Sequence, residues 1–256
     1  MPRFFIAEQQ LLDGTATLYG EDAHHIARSL RMAAGETVTL CDGRAEYECE
    51  LVSFEDDRKV LARVISERPC ETEPPFDVTL YQALPKGDKL DTVIQKAVEC
   101  GVSAIVPFES EHCVVRVRPD VEERKTERRA RIALEAAKQC GRGCLPTVAP
   151  TVSFDEMLRL AADADAVLFC YEGEGTVPLG ELIRAKRADG TLSGERPRIA
   201  IVVGSEGGFS PKEARRAAEQ GFLMTGLGRR ILRTETASGF VLSCLVYEFE
   251  LSSICP

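Results

Sequence analysis

Two glycine-containing loops near the carboxyl end of the chain have the composition of a ligand-binding site. The first covers residues 204–210 (GSEGGFS) and the second covers residues 227–237 (LGRRILRTETA). Glycine lets a backbone turn sharply and approach a ligand with no Cβ in the way, so that backbone amides can bind the ligand directly. Because the loops are only about twenty residues apart, we expect them to serve one site.

The sequence around each loop predicts how it is held. Residues 199–203 form a short, wholly apolar run that is typical of a buried parallel strand, and it leads straight into the first loop. Ser210, Pro211 and Glu213 then supply a capping residue, a proline for the first helical turn and a glutamate that completes a capping box. The first loop is therefore expected to connect a strand to a helix.

The two loops, with a strand expected at residues 222–225 between them, resemble the carboxyl-terminal region of SPOUT methyltransferases and, more narrowly, of the RsmE-type family. The eleven residues of the second loop carry the resemblance most specifically, since a glycine-rich turn alone is common. It extends through residues 86–91, 95–102 and 135–142, and so covers nearly the whole chain.

Three positions depart from the pattern expected of that family. Ser205 stands where proline is usual, Cys100 where leucine is usual, and His112 where arginine is usual. The first lies in the glycine loop, and the last replaces a cation that could contact RNA.

The resemblance implies a fold and an activity. The expected fold class is α/β: a SPOUT fold with a parallel sheet and a carboxyl-terminal trefoil knot, preceded by a small PUA-like β-barrel. The family methylates N3 of one uridine in small-subunit (16S) ribosomal RNA with S-adenosylmethionine, and it forms homodimers. We therefore expect a PUA-like RNA-binding domain at residues 1–72 and a knotted methyltransferase domain at residues 73–256.

Independent sequence features agree with two domains. The first 70 residues contain short strand-like runs separated by Asp-Gly and Ala-Gly turns, with one helix expected at residues 21–31. Residues 71–75 (ETEPP) read as a linker. Beyond them, apolar runs alternate with helical patterns, which predicts a parallel sheet covered on both faces, with ligands beyond the carboxyl ends of its strands.

Methyl transfer to a uridine nitrogen would require two kinds of group. Uridine N3 carries a proton, so a base must accept it or a cation must stabilise the negative charge that develops on the ring. Arg233 is the candidate cation, because a guanidinium donates two coplanar hydrogen bonds. Glu206 and Glu235 are both candidates for the proton acceptor, although Glu235 could equally serve as a structural residue at a helix start.

The remaining expected site residues fall into two groups. Those expected to hold the cofactor are Leu168, Tyr171, Glu172, Val203, Gly204, Gly207, Gly208, Leu227, Gly228, Ile231 and Leu232. Those expected to contact RNA are Arg3, Arg28, Arg31, Lys86, Arg116 and Arg142. For the aliphatic members of the first group, packing in the core is the competing interpretation.

The charge distribution is unusual for an RNA-binding protein. The net charge is -9, whereas RNA-binding domains normally carry a basic face. Residues 116–142 are locally basic, with nine Lys or Arg against five Asp or Glu, and the second glycine loop adds three arginines. A local patch of this kind can attract phosphate, although a solvated helix of mixed charge explains part of it equally well.

Other classes of function lack their motifs. The ten cysteines include no Cys-x-x-Cys pair, so we expect no metal site, and they favour a reducing, cytoplasmic compartment, since no signal peptide is recognised at the start. The dinucleotide-binding and Walker A motifs are absent. Two alternatives stay open: a SPOUT enzyme that acts on transfer RNA, and a catalytically silent RNA-binding protein.

Overall fold

The computed structural model describes residues 1–56 and 58–252. The chain divides into two compact units. The first contains residues 1–73 and 137–145, and the second contains residues 74–136 and the chain from 146 onward. The expected boundary between residues 72 and 73 stays a prediction; the short segment 137–145 groups with the first unit rather than with the residues around it.

The first unit is built on one six-stranded sheet with the order β1-β4-β5-β6-β3-β2. Strands β1 and β4 are parallel and the other neighbours are antiparallel. The strands are β1 (Arg3–Phe5), β2 (Leu11–Leu12), β3 (Thr15–Tyr19), β4 (Thr37–Cys41), β5 (Ala45–Asp56) and β6 (Lys59–Pro69). In β3 and β4 every second side chain is buried, as the two-residue period of a strand requires.

One helical segment packs against this sheet. A short 3-10 turn (Glu8–Gln10) precedes β2, and the main helix starts as α1 (Gly20–His24) and continues as a wider π-helical turn (His25–Ser29). We expected it to reach residue 31, but Arg31 adopts a left-handed conformation with φ of 53°, which a continuing helix cannot accommodate. Ile26 lies fully buried among the side chains of the strands.

The second unit contains one parallel sheet with the order β10-β8-β7-β13-β11-β14-β12, and β9 pairs with β8 outside this path. Its strands are β7 (Asp77–Ala83), β8 (Ala104–Glu109), β9 (Thr147–Val148), β10 (Val152–Ser153), β11 (Ala166–Cys170), β12 (Val177–Pro178), β13 (Arg198–Val203) and β14 (Leu223–Gly226). Among the described residues, the strands of this sheet pair in parallel, which confirms the predicted sheet type. The two-residue strands were not foreseen.

Six helices accompany this sheet. They are α2 (Lys89–Glu99), α3 (Pro119–Cys140), α4 (Phe154–Ala161), α5 (Leu179–Ala188), α6 (Pro211–Glu219) and α7 (Thr234–Val246), which continues as a π-helical turn (Tyr247–Leu251). The carbonyl of Arg233 accepts the amides of Thr236 and Ala237 at 2.9 and 2.8 Å, so the helix begins at Thr234.

The middle of the sheet fixes where its strand ends lie. Strand β13 runs between β7 and β11, and all of its residues after Arg198 are buried. Leu80, Phe169 and Ile201, on three adjacent strands, are fully buried. Because these strands are parallel and aligned, the loops that follow β11, β13 and β14 leave the sheet at the same edge.

The described residues also lack a membrane-spanning helix and a cluster of metal ligands. In residues 1–56 and 58–252, every helix is too short or too polar to span a lipid bilayer. The same part of the chain contains no group of three or more His, Cys, Asp or Glu side chains arranged to hold a metal ion.

Candidate cofactor and RNA site

A cavity of about 670 Å³ lies beyond the carboxyl ends of β11, β13 and β14. Three loops line it: the start of the loop after β11 and the two glycine loops at residues 204–208 and 227–233. Lys89, at the first turn of α2, contributes a fourth wall. The loops that follow these three strands therefore surround one crevice, and the two glycine loops lie at one cavity, as the sequence predicted.

The first glycine loop is shaped by close backbone packing. A Cβ on Gly204 would lie 3.1 Å from the Cα of Gly208, so a larger residue at 204 would press on the opposite side of the turn. Gly208 itself has a φ of +63°, a conformation that L residues rarely adopt. The glycines of this loop therefore form a tight backbone turn at the carboxyl end of β13, which we call the cradle.

Phe209 anchors the end of the same loop. Its ring is buried and lies 4.3 Å from the ring of Phe169 on β11 and 6.3 Å from that of Phe108 on β8. Ser210 then caps α6, because its Oγ accepts the amide of Glu213 at 3.3 Å and its own amide donates to the carboxylate of Glu213 at 3.0 Å. The predicted capping box is confirmed.

A buried hydrogen-bond chain joins the two glycine loops. Thr234 Oγ1, at the start of α7, donates to the carbonyl oxygen of Gly204 at 2.6 Å. Gln82 Nε2, near the end of β7, donates to Thr234 Oγ1 at 2.9 Å. Sequence reasoning missed both side chains, although a glutamine inside an otherwise apolar strand was a signal that something polar had to be reached.

The structure brings together nearly all residues expected to hold the cofactor. Those that line the cavity are Tyr171, Glu172, Val203, Gly204, Gly207, Gly208, Leu227, Gly228, Ile231 and Leu232. Leu168 does not line it and is corrected. It lies two residues before the end of β11 with 2% of its surface exposed, so its side chain belongs to the core, and Cys170 at the strand end lines the cavity instead.

Arg233 and Glu206 both line the cavity, as expected. Arg233 is the residue before α7, and its exposed guanidinium makes no hydrogen bond or ion pair with the described part of the chain. Glu206 is held firmly: its carboxylate accepts Lys89 Nζ at 2.8 Å and the amide of Lys86 at 3.1 Å.

These contacts change the acidity of Glu206. Burial raises its pKa, but the hydrogen bonds from Lys89 and from the backbone outweigh burial, so the pKa lies below its ordinary value. Glu235 lies on the other side of Lys89, with Oε2 at 3.7 Å from Lys89 Nζ. This buried oxygen has no hydrogen-bond partner among the described residues.

Two arginines expected to contact RNA are used inside the first unit. Arg3 donates to Glu46 at 2.6 Å, and the Arg142 guanidinium binds Glu73 through Nε at 2.9 Å and Nη2 at 2.6 Å. Only 14% of the Arg3 side chain and 5% of the Arg142 side chain are exposed. The prediction that these two contact RNA is not supported, because both guanidiniums are paired with carboxylates and little of either side chain is exposed.

The other four cations expected to contact RNA are exposed. Arg28 and Arg31 lie at and just beyond the end of the π-helical turn in the first unit, and Lys86 lies in the loop before α2. Arg116 is exposed but donates to the carbonyl oxygens of Ser110 and Glu111, both at 3.2 Å. A guanidinium has five N–H donors, so these two hydrogen bonds leave others for a phosphate.

Of the three departures from the family pattern, His112 and Cys100 make side-chain contacts and Ser205 makes no side-chain hydrogen bond to the described residues. The buried Oγ of Ser205 has no hydrogen-bond partner among the described residues. His112 Nδ1 lies 2.8 Å from the carbonyl oxygen of Gly207, so this side chain touches the first glycine loop. Cys100 Sγ lies 3.9 Å from Ser243 Oγ on α7.

Comparison with known proteins identifies the family. A model of the RNA methyltransferase domain matches residues 72–246, and a model of the RNA methyltransferase PUA domain matches residues 18–65. Ribosomal RNA small subunit methyltransferase E of Bacillus subtilis is 37% identical over 98% of both chains. The chain belongs to the ribosomal RNA small subunit methyltransferase E family. The Synechocystis member is 29% identical over 94% of this chain and 76% of its own.

Solved structures of the ribosomal RNA small subunit methyltransferase E family agree with this fold. The Neisseria gonorrhoeae member bound to S-adenosyl methionine matches 97% of this chain and 98% of its own, with a TM-score of 0.81 and 29% identity. The chain is thus an RNA methyltransferase of the α/β class with an amino-terminal PUA-like domain, and the family expected from the sequence is confirmed.

Proposed function

We propose that this chain uses S-adenosylmethionine to methylate N3 of one uridine in small-subunit (16S) ribosomal RNA. The observation that carries the proposal is the cavity formed by the two glycine loops in a member of this family. Arg233 lines this cavity and has no side-chain partner within the described residues. The names of the relatives favour small-subunit ribosomal RNA over transfer RNA. The lined cavity favours an enzyme over a silent RNA-binding protein.

The residues of the cavity fit the cofactor. Gly204 and Gly208 leave room for a ligand to approach the backbone, and the buried Oγ of Ser205 is a donor or acceptor that the described protein does not use. Leu227 and Leu232, half-buried, and Ile231, 82% exposed, offer apolar surface to an adenine ring. An exposed isoleucine in such a loop is well suited to being covered by a ligand.

S-adenosylmethionine supplies an electrophilic methyl group, whose bond to sulfur breaks as the bond to uridine N3 forms and the sulfonium charge is neutralised. The protein must hold the uracil edge against that methyl and make N3 nucleophilic. Arg233 is free to donate two coplanar hydrogen bonds to a flat, negatively charged acceptor. Its contribution is therefore greatest in the transition state.

Glu206 is a poor proton acceptor in this arrangement. A carboxylate with a lowered pKa gains little by taking the N3 proton, since uridine loses that proton only well above neutral pH. We infer that Glu206 chiefly positions Lys89 and the loop before α2. Glu235 stays a candidate acceptor, because its buried Oε2 has no hydrogen-bond partner within the described residues.

Ribosomal RNA, free or assembled into the small subunit, is the proposed partner. Arg28, Arg31, Lys86 and Arg116 are exposed and are proposed to contact its phosphates. Since the net charge is -9, these few cations would carry most of the attraction. A ribosomal RNA substrate places the protein in the cytoplasm.

The assembly is also proposed from the resemblance. We infer that the loops of the second unit thread into the trefoil knot of SPOUT proteins and that two copies pair at that region. Phe240 and Tyr247 on the last helical segment support a partner surface, since 38% and 63% of their surfaces are exposed. The mass by light scattering at micromolar concentration tests this pairing, and a monomer would count against it.

Calorimetry and RNA mapping test the proposed function in two steps. The purified protein is titrated with S-adenosylmethionine and with its demethylated product, and both are expected to bind without added metal. Small-subunit RNA from cells lacking the protein is then mapped for N3-methylated uridine and is expected to lack one such nucleotide. No binding by a folded protein would refute the cofactor; an unchanged RNA would refute the substrate.

A further inference from the structure

Lys89 is a charged side chain of the cavity to which the resemblance assigned no role. It occupies the first helical position of α2, its Nζ lines the cavity together with Arg233, and 35% of its side chain is exposed. We propose that Lys89 is a second catalytic cation, which binds the uracil edge and, with Arg233, stabilises its N3 anion. This inference rests on the proposed function and adds a residue to it.

The hydrogen bonds of Lys89 leave donors for a substrate. Within the described residues, Nζ donates one hydrogen bond, to Glu206 Oε1 at 2.8 Å. The second carboxylate, Glu235, is 3.7 Å away and is too distant for a hydrogen bond. A lysine ammonium has three N–H donors, so two can face the cavity.

The surrounding charges keep Lys89 protonated and close to Arg233. The hydrogen bond to Glu206 raises the pKa of Lys89, and Glu235 adds to this, while the positive charge of Arg233 acts in the opposite direction. Both cations line the same cavity. Among the described residues, the other ionisable groups that line the cavity are Cys170, Tyr171, Glu172, Arg229 and Arg230.

A pair of cations matches the chemistry of the uracil edge. Ionisation breaks the N3–H bond, the proton passes to an acceptor, either Glu235 or solvent water, and the negative charge spreads over N3 and the two flanking carbonyl oxygens. Cations at both ends of this edge stabilise the anion and lower the pKa of bound uridine. Cytosine presents an amino group at one end of the same edge, which two cations would repel.

The carboxylate of Glu206 holds the Lys89 ammonium in position. Glu206 is fixed by the amide of Lys86, and Lys89 is held in turn by Glu206, so the ammonium position is set before the RNA arrives. Holding a cation in place in advance avoids reorganisation during the reaction. Lys89 therefore has a defined position, and within the described residues only one of its three N–H donors is used.

The test is the pH dependence of single-turnover methyl transfer, from about pH 6.5 to about pH 9.5, because a stabilised anion shows as a lowered apparent pKa. Purified protein with saturating S-adenosylmethionine is mixed with small ribosomal subunits from cells lacking it. For Lys89→Met, we expect the apparent pKa to rise by at least about one unit, so that the rate falls about tenfold near neutral pH and recovers at high pH. Lys89→Arg should stay close to the wild-type profile.

Lys96→Met, which removes an exposed lysine from the same helix, is the matched control and should leave the profile unchanged. The affinity for S-adenosylmethionine, measured by calorimetry, reports whether each variant keeps a folded site. If Lys89→Met is slowed equally at every pH, or is not slowed, Lys89 is structural and the inference fails. Wild-type protein that transfers no methyl group would instead overturn the proposed function, and this inference with it.

Discussion

The hydroxyl of Thr234 donates a hydrogen bond of 2.6 Å to the carbonyl oxygen of Gly204, thirty residues earlier in the chain. Gly204 begins the first glycine loop, and Thr234 lies in the second, where α7 begins. The hydrogen bond therefore fixes the distance between the two loops that line the cavity. Gln82 Nε2 supports it from β7 at 2.9 Å. The cofactor cradle is therefore determined by a buried polar contact as well as by its glycines.

Removing that hydroxyl should loosen both loops. Thr234→Val keeps the shape but leaves the Gly204 carbonyl and the Gln82 amide short of a partner, which should cost about 1–3 kcal/mol of unfolding free energy. Urea unfolding measures this loss, and calorimetry should show weaker binding of S-adenosylmethionine. Thr234→Ser keeps the hydroxyl and should retain most of the affinity; equal losses in both variants would argue against the hydrogen bond.

Arg233 is expected to act on the chemical step. Arg233→Ala should slow single-turnover methyl transfer roughly a hundredfold, because a donor to the developing negative charge is lost. Arg233→Lys should not restore the full rate, since an ammonium cannot present two coplanar donors. Arg159→Ala, which removes an exposed arginine from α4, is the control.

The cofactor affinity of the Arg233 variants distinguishes chemistry from binding. It should change little, because the cradle consists of backbone and apolar side chains. A full single-turnover rate for Arg233→Ala at saturating RNA would move Arg233 from catalysis to RNA docking.

The buried Glu73–Arg142 pair should govern acid stability in the first unit. Burial raises the pKa of Glu73, but the hydrogen bonds and charge of Arg142 outweigh burial and hold it below its ordinary value of 4.5. A depressed folded-state pKa gives stability that is fully present above the unfolded pKa and is lost as the pH falls through the folded value. Unfolding free energy should therefore fall below about pH 4.5, and Glu73→Gln should flatten that dependence.

Arg142→Ala tests whether Arg142 stabilises the fold through Glu73 or contacts RNA. It leaves the buried Glu73 carboxylate without its cation, which should cost about 3–5 kcal/mol at neutral pH. Urea unfolding checks the loss. A stable variant with weakened RNA affinity would restore Arg142 as an RNA contact.

The exposed arginines of the first unit should control RNA affinity. Arg28→Ala or Arg31→Ala should weaken binding to small-subunit RNA and reduce the slope of log affinity against log salt by about one for each lost phosphate contact. Single-turnover rates at saturating RNA should be preserved. Arg63→Ala, on the exposed face of β6, is the comparison, and an equal effect there would indicate a general charge effect.

Local patterns predicted most of the elements. The apolar run before Gly204 and the Ser210 capping box are complete within a few residues, so β13 and the start of α6 follow from sequence alone. The two glycine loops converge because parallel strands end at one edge. The family was recognised because the second loop carries an unusually specific run of residues.

Ion pairs between residues far apart in the chain could not be predicted from local sequence patterns. Arg3 and Arg142 read as surface cations, yet Glu46 and Glu73 neutralise them from 43 and 69 positions away. Leu168 was expected in the cavity, but its side chain belongs to the core. An apolar pattern does not distinguish a core position from a cavity wall. In the sequence, Lys89 looks like an ordinary lysine in the first turn of a helix. The fold places it in the same cavity as Arg233.

The most direct measurement is the product of the reaction itself. Purified protein is incubated with S-adenosylmethionine labelled at the methyl group and with small ribosomal subunits, or their free RNA, from cells lacking it. The RNA is digested and analysed by mass spectrometry. The account predicts one labelled nucleotide, 3-methyluridine, approaching one per RNA. Label on another base or position, or no label from a protein that binds the cofactor, would contradict it.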